Sequence, residues 1–514
     1  MTARHDFVIV IPVADRPRQL ADCLDSLTRL LQRFPYAGQV SLLLADDSLD
    51  ALAIAQHRAL ADDCRRSGLP THHLERAAQK ALVQELSPPL RARLVGVLGR
   101  PDDNGRLGAS VMRNLACLWL SRQPHAGRPR LIWFVDSDER FQVQAGTAAG
   151  GAQPHEIDYL NVLDRLFSER PIAVLTGRVV GDPPVSPAVM AGTLLDDVLA
   201  FLSDLGGQDP HAPCRFHGDC VLLPGAAYHD MADLFGYAPA PATPYRCPLT
   251  GRHDHIDCLT QFAAGLTQFF DGVHATRRSL FQAGEPLKPA QARTVYTGNY
   301  VITDSALAWF IPFADLRLRM AGPTFGRLLK AALAERFVSA ELPLWHGRTL
   351  AGLGRSECRP GVTHSPDGVD LGGEFERQYF GDVLLFAIEA LVGLGYPDNP
   401  LDAQVVRREL MTVEARLHAR YLQQQTAVAE RIDRLQVRLA DPTPWWRHEE
   451  ACAPAVAALA RFLHDLKRNF GPEAPAWRKI SAPAYRAAWL EALCVAIDRL
   501  HDERAAWIEA LNRA

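Results

Sequence analysis

Three short apolar segments near the N-terminus have the pattern of strands that are buried on both faces of a sheet. They cover residues 7–13 (FVIVIPV), 40–45 (VSLLLA) and 131–135 (LIWFV). Continuous apolar runs of this length, rich in β-branched residues, are typical of parallel strands that helices cover on each side. We therefore predict three strands of a parallel sheet within the first 135 residues.

A helix is predicted between the first two strands. Asp15 and Pro17 are residue types that open helices, and apolar residues then recur with helical spacing along one face. Those residues are Leu20, Cys23, Leu24, Leu27, Leu30 and Leu31. A strand–helix–strand order with Asp46 and Asp136 at strand ends predicts a doubly wound α/β fold, in which ligands bind beyond the carboxyl ends of the strands.

The second half of the chain changes to a helical pattern. Residues 351–375 contain several glycines and Pro360, and are typical of a linker. Apolar residues from Leu410 to Leu439 then recur every three, four or seven positions, until Asp441-Pro442-Thr443-Pro444 ends the helix. We expect further helices after it, with the pair Trp445-Trp446 used in packing.

Composition and charge narrow the class of protein. With 514 residues the chain is too long for one compact core, so two or three domains are expected. The net charge is -4 and no block of Lys and Arg occurs, which argues against a nucleic-acid partner. The apolar stretch 379–396 is broken by Asp382 and Glu389, so it predicts a buried helix and no transmembrane segment.

The N-terminus does not have the pattern of a signal peptide, since its apolar run is short and no small-residue cleavage site follows it. We therefore expect a cytoplasmic protein, and the ten cysteines are expected to be mostly unpaired in a reducing compartment. A homo-oligomer formed through the C-terminal helices is a further hypothesis.

Asp136-Ser137-Asp138 is the first candidate for chemistry. Two carboxylates at positions i and i+2 after a buried strand can present oxygen ligands to a hard cation such as Mg²⁺ or Mn²⁺. Such a cation offsets the charge on a departing diphosphate. An isolated Asp-x-Asp is more often a turn or a helix cap, so the neighbouring sequence has to support the interpretation.

Four segments resemble, in the same order, the family-two glycosyltransferases of the GT-A fold. They are residues 7–27 (FVIVIPVADRPRQLADCLDSL), 40–50 (VSLLLADDSLD), 108–116 (GASVMRNLA) and 133–141 (WFVDSDERF). The resemblance implies a UDP- or GDP-sugar as donor and Mn²⁺ or Mg²⁺ as cofactor, with Asp136 and Asp138 as metal ligands. The residues implied to bind the nucleotide-sugar are Pro12, Asp15, Arg16, Asp46, Asp47, Arg113, Asn114, Asp136 and Ser137.

A later part of the chain, residues 297–349, is similar to the same family but departs from it at one place. The segment LPLWHGRT resembles the one that supplies a histidine metal ligand in several GT-A enzymes, which makes His346 a further candidate ligand. Inverting members carry an acidic pair where this chain has Gly322-Pro323-Thr324. Either another carboxylate is the general base, or the enzyme retains the anomeric configuration and the departing phosphate takes the proton. The candidate bases are Asp304, Asp315, Glu341 and Asp219.

A segment rich in cysteine and histidine lies between residues 211 and 258. Its members are His211, Cys214, His217, Cys220, Cys247, His253, His255 and Cys258. Such residues bind zinc tetrahedrally, so a structural Zn²⁺ is one interpretation, although the spacing matches no common zinc module. The cysteines could instead be small buried hydrophobes, and some of the histidines could line an acceptor pocket with Arg215 and Asp219.

Together these observations predict an α/β fold of the GT-A type followed by an all-α C-terminal domain. The expected parts are a nucleotide-sugar-binding half (1–145), an acceptor-binding half (146–350), a linker (351–375) and a helical domain (376–514). The predicted function is transfer of a sugar from a nucleotide donor to an unknown acceptor hydroxyl. Two alternatives are a nucleotidyltransferase, although its glycine-rich phosphate loop is missing, and a non-catalytic module of the same fold.

Overall fold

The computed structural model describes residues 4–100, 105–125, 127–146, 152–217, 243–282, 288–350 and 352–512. The strands in these residues are β1 (Asp6–Val13), β2 (Val40–Asp46), β3 (Thr71–Leu74), β4 (Arg130–Val135), β5 (Glu139–Arg140), β6 (Gln142–Gly146), β7 (Ala152–Glu156), β8 (Val174–Gly181), β9 (Ala290–Gln291), β10 (Asn299–Thr303), β11 (Phe337–His346), β12 (Thr363–Ser365) and β13 (Gly368–Asp370).

The α-helices in the same residues are α1 (Pro17–Arg33), α2 (Ala51–Arg66), α3 (Arg76–Gln84), α4 (Pro88–Arg93), α5 (Val95–Leu98), α6 (Ala109–Ser121), α7 (Tyr159–Glu169), α8 (Pro187–Gly206), α9 (His255–Leu266), α10 (Ala321–Leu333), α11 (Gly372–Gly393), α12 (Ala403–Ala440), α13 (Ala453–Phe470), α14 (Pro475–Ser481) and α15 (Pro483–Leu511). The predicted strands and the first helix are confirmed as β1, β2, β4 and α1.

Nine strands form one mixed sheet in the order β3-β2-β1-β4-β10-β8-β11-β5, with β9 paired to β11. The first four of these are parallel to one another, and β8 is parallel to β11. β10 lies between these two groups of parallel strands and runs antiparallel to both of its neighbours, β4 and β8. The carboxyl ends of β1, β2, β4, β8 and β11 therefore meet at one edge of the sheet.

The two faces of the sheet are buried in different cores, which explains the continuous apolar runs. Along β1, Ile9 and Ile11 enter a core formed with α1 and α7. Val10, between them, enters the second core on the opposite face. Since successive side chains of a strand point to opposite faces, a strand covered on both sides has no position for a polar residue.

The second core continues from the sheet into the C-terminal helices. It includes Phe134 of β4, Leu384 of α11, Leu417 of α12 and Trp507 of α15. The predicted α/β fold with a helical C-terminal region is confirmed, and the two regions share this core. None of the described helices has the length and apolar character needed to cross a membrane.

Two features of the helical region bear on the sequence predictions. The pair after α12 has the predicted packing role, because Trp446 is fully buried and the Trp445 indole N–H donates to the Leu205 carbonyl at 3.0 Å. The segment predicted as a linker is more structured than expected, since it contains the hairpin β12–β13 and the start of α11. Asn469 of α13 fixes this hairpin by accepting from the Leu371 backbone N–H at 2.8 Å.

Candidate active site

A cavity of about 500 Å³ lies at the sheet edge where the carboxyl ends of the parallel strands meet. Residues at or directly after these ends line it, among them Ala14, Asp47, Asp136 and His346. The opposite wall is formed by residues 294–297, which precede β10, and by residues 317–323 at the start of α10. Open α/β sheets bind their ligands at this position.

The turn 136–138 is held against the end of β11. β5 follows the turn and pairs with β11 in a register that sets Glu139 opposite His346. In addition, the Gly347 backbone N–H donates to the Asp138 carbonyl at 2.9 Å. This pairing brings His346 beside Asp138, although the two residues are far apart in the sequence.

Asp138 is an ionised carboxylate in the wall of the cavity. Its side chain is 7% exposed, and its Oδ2 lies 3.0 Å from Arg16 Nη1 and 3.8 Å from His346 Nε2. Burial raises the pKa of this carboxyl, but the positive charge of Arg16 and other neighbours outweighs burial and lowers the pKa to about 2. The side chain therefore keeps its negative charge at neutral pH.

His346 is oriented so that one ring nitrogen faces Asp138. The ring Nδ1 lies 2.7 Å from the Asp182 carbonyl oxygen, and this bond requires the hydrogen on Nδ1. Burial, helped by the charge of Arg348, lowers the pKa of the imidazole, so the ring is neutral at pH 7. The Nε2 lone pair is then available, and a hydrogen-bonded second nitrogen is the usual arrangement for a metal-binding histidine.

Asp136 is the more exposed of the two aspartates in this turn. It forms an ion pair with Arg113 of α6, and 33% of its side chain is exposed. A Cβ at position 298 would lie 2.9 Å from Asp136 Oδ2 and 2.5 Å from Glu139 Oε1, so a larger residue there would displace these carboxylates. Glu139 is fully buried, and burial together with the charges of Asp136 and Asp138 raises its pKa well above the ordinary value.

These residues fit a divalent cation in part. The 3.8 Å between Asp138 Oδ2 and His346 Nε2 can be spanned by two bonds to one ion, each about 2.1 Å long. An oxygen and a nitrogen donor are acceptable ligands for Mn²⁺. Asp136 does not complete a group of three ligand atoms within 4.8 Å of one another. Its ion pair with Arg113 holds one of its oxygens.

The two acids after β2 differ in position. Asp47 lines the cavity, and its carboxylate accepts from the backbone N–H groups of Leu107 at 2.8 Å and Gly108 at 2.7 Å. Asp46 is away from the cavity, where it accepts from His57 Nδ1 and His73 Nε2 at 2.9 and 2.8 Å. Of the two acids predicted to contact the nucleotide, only Asp47 lines the cavity.

The other residues that the resemblance implied for the donor also divide into two groups. Pro12, Arg16 and Ser137 line the cavity. Asp15 does not; it has a positive φ of 50° and its carboxylate accepts from the Leu49 and Asp50 backbone N–H groups and pairs with Arg106. Asn114 is also away from it.

Asn114 joins α6 to α5 and to the loop that contains Ile311. Its amide donates to the carbonyls of Val97 at 3.0 Å and Ile311 at 2.9 Å, and accepts from the Ile311 N–H at 2.9 Å. With its amide donating and accepting in this way, Asn114 positions α6 and is not a ligand contact. The motif Arg-Asn therefore contributes Arg113 to the cavity and Asn114 to the fold.

The three described candidates for a general base do not line the cavity, which corrects that expectation. Asp304 follows β10 at the opposite edge of the sheet and pairs with Arg130 at 2.8 Å. Asp315 pairs with Arg499 of α15 at 2.6 Å, and Glu341 pairs with Arg178. Each carboxylate thus has an arginine partner in the fold, and the fourth candidate, Asp219, lies outside the described residues.

Four arginines that the sequence did not single out form one side of the cavity, and we call them the arginine wall. They are Arg319, Arg348, Arg359 and Arg377. Glu374 of α11 is buried among them, with its carboxylate 3.0 Å from Arg319, 3.2 Å from Arg377 and 3.7 Å from Arg359. Its pKa falls to about 2, because these charges outweigh the effect of burial.

The arginine wall gives the cavity an excess of positive charge. Among the described lining residues there are eight arginines and four carboxylates. Arg359 is 5% exposed, and burial together with the charge of Arg348 lowers its pKa to about 9. Its Nε and Nη2 atoms have no hydrogen-bond partner within the protein. Such a cavity matches a ligand with several negative charges.

The described part of the Cys/His segment is separate from the cavity. None of its cysteines or histidines, nor Arg215, is among the described lining residues, which disfavours the acceptor-pocket interpretation for them. Cys220 lies outside the described residues. The sulfur atoms of Cys214, Cys247 and Cys258 instead gather in the second core, next to α9.

No family model and no curated protein matches the chain. Among solved structures, it is similar to the mannosyltransferase PcManGT from Pyrobaculum calidifontis in complex with GDP-Man and Mn²⁺. The identity is 9% and the TM-score 0.34, over 98% of this chain and 87% of that one. It is also similar to S. aureus TarS 1–349, with 13% identity and a TM-score of 0.32 over 90% and 91% of the two chains.

Proposed function

We propose that the chain is a metal-dependent glycosyltransferase that moves a sugar from a nucleoside-diphosphate sugar to an acceptor hydroxyl. The observation that carries the proposal is the pairing of an ionised Asp138 with a neutral His346 in a cavity rich in arginine. A cation site next to a surplus of guanidinium groups is suited to a diphosphate, which binds both.

The residues that would hold the ion are Asp138 and His346; Asp136 would become a third ligand only if its side chain left Arg113 and moved towards them. When bound, Mn²⁺ or Mg²⁺ supplies positive charge that stabilises a departing diphosphate. The protein also orients the two ligand side chains before the ion binds. The Asp182 carbonyl fixes the tautomer of His346, and burial keeps the Asp138 carboxylate out of bulk water.

We assign the nucleoside to the part of the cavity between β1 and α6. Pro12 and Ala14 line it from the end of β1, and Asp47 lines it from the end of β2. The Asp47 carboxylate accepts hydrogen bonds from the backbone N–H groups of Leu107 and Gly108, and these bonds hold the loop before α6 in place. Asp47 thus shapes this wall through the loop, in addition to facing the cavity itself.

The diphosphate belongs between Asp138 and the arginine wall. Guanidinium groups match phosphate oxygens in geometry and charge, and they act strongly here because the wall is largely buried. Arg319 and Arg377 are held by Glu374, so their orientation does not depend on the ligand. Preorganised charges of this kind stabilise the developing charge of a leaving group without reorganisation.

The proposal is tested with a panel of UDP- and GDP-sugars, with and without Mn²⁺. We expect slow metal-dependent hydrolysis of one donor in the absence of acceptor. In Asp138→Asn, turnover should fall by at least about 100-fold, because a charged ligand of the metal is lost. The melting temperature should change little. Asp304→Asn, at the opposite edge of the sheet, is the control and should keep its turnover.

Other outcomes would favour a different function. Full turnover in Asp138→Asn would remove the metal assignment. Binding of one donor without turnover, even with diverse acceptors, would favour a non-catalytic binding module. Formation of a nucleotide-sugar from a nucleoside triphosphate and a sugar phosphate would identify a nucleotidyltransferase.

A further inference from the structure

A second group of metal-ligating side chains lies outside the cavity, in the segment around residues 211–258. The sulfur atoms of Cys214, Cys247 and Cys258 all lie within 4.8 Å of one another. All three cysteines are buried. In a tetrahedral zinc site with Zn–S bonds of 2.3 Å, the sulfur atoms are about 3.8 Å apart. The three thiols thus lie almost at the separation that one zinc ion requires.

A histidine lies next to one of these thiols. His253 Nε2 is 3.3 Å from Cys247 Sγ, close to the roughly 3.6 Å expected between two ligands of one zinc ion. Its other ring nitrogen, Nδ1, lies 3.1 Å from the Gly251 carbonyl, which accepts the Nδ1 hydrogen. Nε2 then carries a lone pair next to Cys247 Sγ, and a hydrogen-bonded second nitrogen is the arrangement in which histidines bind metals.

The other described histidines of the segment are less suited to the fourth position. His255 uses both ring nitrogens, one with the Asp209 carbonyl at 2.7 Å and the other with the Arg215 backbone N–H at 3.3 Å. His211 is two-thirds exposed and lies 3.8 Å from Asp254. His217 is near Cys214 and His253 but is exposed, so it is the second choice as ligand.

The backbone holds the ligands together without contribution from a metal. The Cys214 N–H donates to the His253 carbonyl at 3.0 Å, and the Cys247 N–H donates to the Phe216 carbonyl at 2.9 Å. Cys258 lies in the first turn of α9, which Asp254 caps through the Ile256 and Asp257 backbone N–H groups. Three separate chain segments therefore meet at the thiols.

A purely apolar role for these cysteines explains less. Cys23, Cys64, Cys117 and Cys452 are also buried, and none of them belongs to a group of possible metal ligands among the described residues. Those four behave as small core side chains. Within the part of the chain that the structure describes, three buried thiols gather beside an oriented imidazole only in this segment.

We propose that Cys214, Cys247, Cys258 and His253 bind one structural zinc ion. The ion would cross-link the described ends of the chain on both sides of residues 218–242 and fix them to α9. It would be distinct from the cation of the cavity, because thiolates select zinc, whereas the carboxylate at Asp138 suits Mn²⁺ or Mg²⁺. The proposal does not depend on the proposed glycosyltransferase activity.

Metal analysis of the full chain, purified without an affinity tag and dialysed against EDTA, tests the proposal. We expect about one zinc per chain in the wild type and in Asp138→Asn. Cys258→Ser should lose most of it. Cys117→Ser, which removes a buried thiol elsewhere, is the matched control and should keep its zinc. Zinc lost from the wild type on dialysis, or kept equally by Cys258→Ser, would overturn the proposal.

A spectroscopic readout covers the case in which Cys258→Ser does not fold. Chain produced with Co²⁺ in place of zinc should show the thiolate-to-cobalt charge-transfer band and the visible bands of a tetrahedral ion. His253→Gln, which leaves all three thiols, should shift the visible bands and speed release of the ion to a chelator. A cobalt-loaded chain without the charge-transfer band, or a disulfide found among the three cysteines, would also contradict the assignment.

Discussion

At the scale of single residues, Gly322 in the first turn of α10 occupies a position with no space for a side chain. A Cβ at this position would overlap the Val295 carbonyl oxygen and lie 3.0 Å from Thr297 Cγ2. The backbone before β10 packs directly on the first turn of the helix. A side chain as large as aspartate or glutamate would separate the two and displace the cavity wall.

We predict that Gly322→Ala destabilises the protein by about 1–3 kcal/mol, because the added methyl group has no space. Gly265→Ala is the control within another helix, since a Cβ there would meet nothing within 4 Å. That variant should be stabilised by up to about 1 kcal/mol through helix propensity. Urea unfolding followed by tryptophan fluorescence compares the two. Equal stability of both variants would contradict the close packing at Gly322.

The carboxylates of the cavity lead to a prediction on stereochemistry. Among the described lining residues they are Asp47, Asp136, Asp138 and Glu374, and each is bound to backbone or to arginine. Each of these carboxylates thus has a partner that competes with an acceptor proton. We therefore expect the departing phosphate to take it and the anomeric configuration to be retained. Proton NMR of the first product measures this, and inversion would indicate a base outside the described residues.

At the scale of elements, the contact between α11 and α12 contains a buried acid. Asp382 is 1% exposed and accepts from the Tyr421 hydroxyl at 2.6 Å and the Gln378 amide at 2.9 Å. Burial raises its pKa to about 7, more than the two hydrogen bonds lower it. The folded state therefore holds a proton at a pH at which the unfolded chain has released it.

This shift makes stability depend on pH in a defined direction. Between about pH 4 and 7 the folded state binds more protons at Asp382, so its contribution to stability falls as pH rises and levels off above 7. Asp382→Asn should therefore be more stable than wild type at pH 8 by on the order of a few kcal/mol, and similar to it at pH 4. The exposed Asp367→Asn should show no such trend in denaturant unfolding.

The elements differ in how far the sequence predicts them. The apolar runs predicted β1, β2 and β4 to within a residue, and the spacing after Leu410 predicted α12, because burial on a known period leaves a direct signal. The antiparallel β10 between β4 and β8 was not predicted. Strand order depends on contacts between distant segments, which no local pattern records.

Some residues of the candidate site could likewise be predicted from the sequence, and others could not. Asp136 and Asp138 follow a predicted strand, so their position at the sheet edge could be derived. The base candidate Asp304 lies away from the cavity, because the direction of β10 puts it at the opposite edge of the sheet. Arg359 and Glu374 were missed, since they come from a segment with the composition of a linker.

At the scale of the whole molecule, the helical region is part of both the core and the cavity. α15 returns to the α/β part, where the Trp507 indole N–H donates to the Leu307 carbonyl at 2.8 Å and Arg499 pairs with Asp315 at 2.6 Å. Glu374 and Arg377 of α11 line the cavity. The C-terminal helices pack on α6, α8 and α10 of the α/β part, and so extend the second core beyond the helices that cover the sheet.

We predict that the fragment 1–350 does not fold to the native state, because the apolar surfaces of α6, α8 and α10 that pack on the C-terminal helices would be exposed. The full chain should unfold by heat in one transition in calorimetry, with the sheet and the helices melting together. Hydrogen exchange of the amides in β4 measures the effect on the fragment, with the full chain as control. Protected amides in β4 of the fragment, or two separate transitions in the full chain, would show that the regions are independent.

The ion pairs of Arg16 with Asp138 and of Arg113 with Asp136 have a consequence for the energetics of ligand binding. A cation that binds these carboxylates competes with the two guanidinium groups, and an anion that binds the guanidinium groups weakens their hold on the carboxylates. Each ligand thus weakens the ion pairs that compete with binding of the other. By thermodynamic reciprocity, bound nucleoside diphosphate should raise the affinity for a divalent cation. The bound cation should raise the affinity for nucleoside diphosphate by the same factor.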